Sequence, residues 1–104
     1  MPSDIGILHI YAQNWEHDES YIVGNKKGLI RLRDCLNKVI NSGIPNNINH
    51  KESDVVFTSD GEGYEVTCIN TNQDDMTRPV WTELALPYIE DERNKDKKTA
   101  RDLI

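Results

Sequence analysis

The side chains able to hold a metal, activate a nucleophile or move a proton are few: His9, His17, His50, Cys35, Cys68 and the run Glu16-His17-Asp18-Glu19. The three histidines fall in different expected elements, and none is paired with a second ligand at metal spacing, so a packing or sheet role for His9 is the plainer reading. Glu16 to Glu19 places four ionisable groups in a row, but neighbours on a turn rarely converge on one ion without a glycine-punctuated loop, and a solvated acidic turn is expected. Asp60-Gly-Glu-Gly63 resembles half a calcium loop and lacks the regularly spaced ligands and the distal bidentate Glu, so it is read as hairpin geometry. Cys35 lies on an expected helix and Cys68 on a core-facing strand position, with neither the number nor the spacing of a metal ribbon or a disulfide scaffold. Buried free thiols are expected. No nucleophile, base and orienting group can be assembled, so neither enzymatic activity, a metal nor a cofactor is expected.

What the chain offers instead is surface. Trp15, Tyr21, Tyr64, Trp81 and Tyr88 are residue types that anchor interfaces, and they lie among carboxylates. The expected partner-binding residues are Trp15, Glu16, Asp18, Glu19, Glu62, Tyr64, Glu65, Asp74, Asp75, Trp81 and Glu83. An aromatic ringed by acids suits a basic protein. A second reading uses Asn25, Lys26 and Lys27, which open a helix after Gly24 and, with its first amides, could hold a small anionic ligand such as a nucleotide. The run lacks the glycines and the Gly-Lys-Ser/Thr ending of a phosphate loop, so the plainer reading is a capped, solvated helix start.

Charge supports the first reading. Eighteen acids against twelve bases give a formal net charge of −6, which repels phosphate backbones and makes direct nucleic-acid binding an unsuitable role. The distribution is uneven: residues 26–40 carry Lys26, Lys27, Arg31, Arg33 and Lys38 against Asp34 alone, a basic helix on an acidic body.

The elements that must position these residues follow from periodicity. At 104 residues and 37% apolar content the chain makes one domain, 1–104, with residues 90–104 a charged tail or helix. The expected fold is α+β: an antiparallel sheet of about four to five strands with one main amphipathic helix packed on one face. Residues 5–23 read as a hairpin, its first strand central in the sheet. Leu29, Leu32, Leu36, Val39 and Ile40 recur at helical spacing and place the helix at about 26–42, capped by Asn25 and stopped by Gly43 and Pro45. Residues 45–53 read as a loop, and 54–59 with 64–70 as a second hairpin around Asp60-Gly-Glu-Gly63. Pro79 to Pro87, bracketed by prolines, reads as extended. From Glu90 the acids precede the bases, which suits a C-terminal helix, although too few apolar residues follow to pack it. No apolar stretch approaches the roughly 20 residues of a membrane span, and the N-terminus has no signal-peptide pattern, so a cytoplasmic protein without membrane contact is expected.

Gly24-Asn25-Lys26-Lys27-Gly28-Leu29-Ile30-Arg31-Leu32, set after a strand and before a hairpin, resembles a pattern in small immunity proteins of bacterial contact-dependent and polymorphic toxin systems. The resemblance spans about residues 5–70; the charged tail from Glu90 is outside it. It implies that strand, helix opening and helix are scaffold, that binding residues vary with the toxin, and that the partner is a basic protein toxin, a nuclease cleft being one that would accept an acidic plug.

Overall fold

A computed structural model describes residues 5–41, 49–89 and 91–103. The fold is α+β, with β1 (Leu8–Tyr11), β2 (Tyr21–Gly24), α1 (Lys26–Ile40), β3 (His50–Phe57), β4 (Gly63–Asn70), α2 (Pro79–Thr82) and two 3-10 turns at Glu92–Asn94 and Ala100–Leu103.

The expected single sheet is replaced by two antiparallel ribbons, β1–β2 and β3–β4. They touch at one parallel bridge, Ile7 to Phe57, where the Phe57 amide donates to the Gly6 carbonyl at 2.9 Å. Beyond that point side chains take over from the ladder. The Tyr64 hydroxyl donates to the Leu8 carbonyl at 2.5 Å, and the Ser59 amide donates to His9 Nε2 at 2.9 Å. Each satisfies a main-chain group that a continuous sheet would have satisfied with backbone, so the ribbons diverge without leaving those groups unpaired.

The second hairpin forms where alternation places it. Val56 pairs with Tyr64 and Asp54 with Val66, and Gly61 turns the chain at φ +93°, a conformation that side-chain-bearing residues rarely adopt. Its first strand starts earlier than expected: His50 to Ser53, read as loop, pair with Asn70 to Thr67. Polar content concealed this strand, because one of its faces is wet and the ladder itself needs no apolar residue.

Helix α1 packs across β3 and β4. The Cys35 thiol donates to the Glu52 carbonyl at 3.1 Å, Arg31 pairs with Asp54 at 3.2 Å, and Asn70 Nδ2 donates to the Val39 carbonyl at 3.1 Å. The core is small: Leu8, Val56 and Val66, with Leu32 and Tyr64 packed against it, plus Cys35 and Val39. The helix is rotated from the face its leucines suggest. Gly28, Cys35 and Val39 are buried, whereas Leu29, Leu36 and Ile40 are exposed along one flank. The reason lies in the first turn. A Cβ on Gly28 would stand 2.0 Å from the Ile7 carbonyl oxygen, and one on Gly24 would stand 2.6 Å from it. Asn25 completes the clamp: its Oδ1 accepts from the Gly28 amide at 2.8 Å and the Ile7 amide at 2.9 Å, and its Nδ2 donates to the Ile5 carbonyl at 2.9 Å. The Gly-Asn-x-x-Gly run therefore seats the helix start directly on strand backbone, which fixes the face turned inward.

α1 ends at Ile40 with Asn41 as its cap; Gly43 and Pro45 lie outside the described residues. Pro79 to Thr82, expected to be extended, form one helical turn, because a proline at the first helical position removes no needed donor. Among the described residues 91–103 the expected C-terminal helix is replaced by two 3-10 turns. Asp91 and Asp102 accept from nearby backbone amides and stabilise 3-10 turns, a competition that short polar side chains win where no apolar face drives a helix. Among the described residues no helix is long and apolar enough to cross a membrane.

Candidate protein-docking surface

The turn joining β1 to β2 is built around Asp18. Its carboxylate accepts from the Asn14 amide at 3.2 Å and the Glu19 amide at 2.9 Å, its carbonyl accepts from Gln13 Nε2 at 2.7 Å, and His17 adopts φ +64°. This turn holds Trp15 outward: the residue is 58% exposed and its indole N–H has no partner among the described residues. Glu16 is hydrogen-bonded and ion-paired to Arg93, which also grips Asp91 at 2.7 Å and stands 5.9 Å from the centre of the Tyr88 ring. Glu19 accepts from the Tyr21 hydroxyl. That bond first, then burial and the charge of Asp18, keeps the Tyr21 phenol protonated to higher pH than usual. The tip thus gathers Glu16, Asp18, Glu19 and Asp91 against Arg93.

Apolar surface adjoins this acidic tip. Tyr11 faces Tyr21 and Ile10 faces Ile22 across the ribbon, and these four residues and Val23 are half exposed. Only Leu8, at the base, is covered. Exposed apolar groups set beside charged ones are the composition of a docking surface.

The remaining expected residues divide into two groups. Tyr64 is part-buried and holds Leu8, Glu65 is exposed opposite Val55, and the Glu62 carboxylate has no partner among the described residues. Asp74, Asp75, Trp81 and Glu83 belong to the 71–83 segment, where three have internal roles. Trp81 Nε1 donates to the Gln73 carbonyl at 2.9 Å, and Glu83 pairs with Lys98 at 3.3 Å. Asp75 accepts from the Thr77 hydroxyl and amide, which hold its carboxyl below the usual range. Asp74 is exposed. At the alternative anion site Lys26 and Lys27 are exposed, but both functional atoms of the Asn25 side chain already have main-chain partners.

His50 Nε2 lies 3.2 Å from Glu52 Oε1, and no group of three or more His, Cys, Asp or Glu among the described residues stands where it could hold a metal ion. The cysteines, both free, are neighbours: Cys35 donates to Glu52, and burial together with the Cys35 sulfur pushes the Cys68 thiol up to about 11.

Sequence reasoning missed Tyr11, Ile10, Ile22 and Val23 as surface, because strand apolars ordinarily signal core. It also missed Arg93, whose contact with Glu16 spans 77 positions and leaves no local signal. In comparisons with known proteins, no family model, curated protein or solved structure matches this chain.

Proposed function

We propose that this chain is a binding and inhibitory protein that docks a basic protein through the β1–β2 tip, and that it acts as an immunity protein neutralising a cationic toxin, such as a nuclease. The observation that carries this reading is Trp15, an exposed aromatic on a hydrogen-bonded turn that also carries the carboxylates of Glu16, Asp18 and Glu19 and no Lys or Arg. A tryptophan has only two side-chain torsions to lose on binding and a large apolar area to bury in a pocket, which is why such residues dominate interface energies. The surrounding acids, within a chain of net charge −6, would speed encounter with a positively charged partner and reject polyanions. The resemblance of the Gly24 to Leu32 run to immunity proteins points the same way, and a scaffold role for that run is supported by the close approach of Gly28 and Asn25 to the Ile7 backbone.

The test is affinity capture from host extract with the wild-type chain and Trp15→Ala in parallel, followed by calorimetry on the purified captured protein and a growth-rescue assay in cells expressing it. A basic protein whose toxicity is relieved by the wild type, and whose affinity drops by about 2 kcal/mol in Trp15→Ala, is expected. A captured protein that is acidic, or that binds Trp15→Ala as tightly, would overturn the reading.

A further inference from the structure

A cleft of about 350 Å³ opens between β1 (Leu8–Tyr11) and Thr58, Glu62 and Tyr64 of the second hairpin. It arises because the two ribbons diverge after the Ile7–Phe57 bridge, and its volume is at the small end of ligand sites, which begin at about 300 Å³. Its chemistry is specific.

The Ser59 amide can only donate, so His9 Nε2, 2.9 Å away, carries a lone pair; the ring proton is then on Nδ1, which donates to the Tyr11 oxygen at 2.6 Å. Both ring nitrogens are therefore engaged within the protein, Nε2 by the Ser59 amide and Nδ1 by the Tyr11 oxygen, and the ring offers the cleft no free polar atom. The Thr58 hydroxyl donates to Asp60, and the Tyr64 hydroxyl donates to Leu8. Those donors are committed to the protein, and both tyrosine rings are fixed as walls. The Glu62 carboxylate is left without a partner among the described residues, with Asp60 on the same turn. An aromatic-walled cleft in which, among the described residues that line it, the carboxylate of Glu62 has no partner matches a cation on a long apolar stem.

We propose that this cleft receives one arginine side chain of the bound protein, its guanidinium paired with Glu62 and lying against the Tyr11 ring. The proposal rests on the reading of the chain as a binder of basic proteins and names a specificity pocket within it. Arginine suits the cleft better than lysine because a planar guanidinium can pair with a carboxylate in two-point fashion and stack on a ring at once.

The experiment is an NMR titration of the full chain with N-acetyl-arginine amide, with N-acetyl-citrulline amide as the neutral isostere. Saturable shifts confined to the amides of Leu8–Tyr11, Ser59 and Glu62 are expected with arginine and none with citrulline. Glu62→Gln should weaken the arginine association by about fivefold or more, and so should Tyr11→Leu. Among the described residues the Glu62 carboxylate has no hydrogen-bond or ion-pair partner and the residue is exposed, so Glu62→Gln is expected to keep the fold. Equal response to citrulline, non-saturating shifts spread over all the acidic residues, or undiminished binding by Glu62→Gln would each overturn the cleft. None of these outcomes touches the separate readout of the docking surface, which is the loss of protein binding in Trp15→Ala.

Discussion

At the scale of single residues, Gly28 and Asn25 control more than their sizes suggest. Any side chain at 28 must displace the Ile7 backbone, so Gly28→Ala should cost about 3 kcal/mol or prevent folding, whereas Lys27→Ala on the exposed face should change little; urea unfolding measures both. Asn25→Ala removes an acceptor for two amides and a donor to Ile5, and a loss of about 2 kcal/mol is expected in the same assay, the upper end for an N-cap. The cysteine pair gives a pH prediction. Folding raises the Cys68 thiol to about 11 from an ordinary value near 9. The stability this represents is fully present below pH 9 and is lost as pH rises through about 11, because the unfolded chain ionises first. Alkylation of Cys68 near neutral pH should accordingly be slow in the native protein and fast in urea, since the thiolate is the reactive form.

The elements differ in what holds them. α1 and the β3–β4 hairpin share the core, but the chain from Leu84 onward is held by polar contacts. The Asn94 side chain accepts from the Leu86 amide at 2.6 Å and donates to the Leu86 and Tyr88 carbonyls at 3.0 and 2.9 Å. Asn94→Ala should therefore raise amide exchange and proteolysis in residues 84–103 while leaving protection in α1, β3 and β4 unchanged. A second prediction at this scale concerns the turns. Thr58 and the Glu62 amide hold the Asp60 carboxyl below its usual range, as Thr77 does for Asp75 and Arg93 for Asp91. Depressed carboxyls stabilise the fold above the unfolded value near pH 4, and that contribution is lost as pH falls through the still lower folded values. Protection of the Glu62, Thr77 and Arg93 amides, taken relative to the intrinsic exchange rate at each pH, should fall on acidification below about pH 4, before α1 melts.

Taken whole, the molecule has a narrow centre and broad margins. Its radius of gyration, 15.2 Å, exceeds the roughly 13 Å of a compact chain of this length, in keeping with a β1–β2 ribbon that projects past its one buried residue. With so few residues fully buried, Leu8→Ala should cost about 2–5 kcal/mol and leave little folded protein, read by thermal melting. Local signals were legible in the sequence: the cap and length of α1, the alternation of β4 and the glycine turn before it, and the acidic tip bearing Trp15. Each depends on contacts within a few positions, where propensity and period operate. The buried face of α1, the division into two ribbons, the Arg93 bridge and the cleft beside Tyr11 were decided only in three dimensions. They depend on pairings such as Ser59 with His9 and Tyr64 with Leu8, separated by 50 and 56 positions. Such pairings are chosen by whichever backbone groups remain unsatisfied once the strands and helix have packed, a condition that no periodicity records.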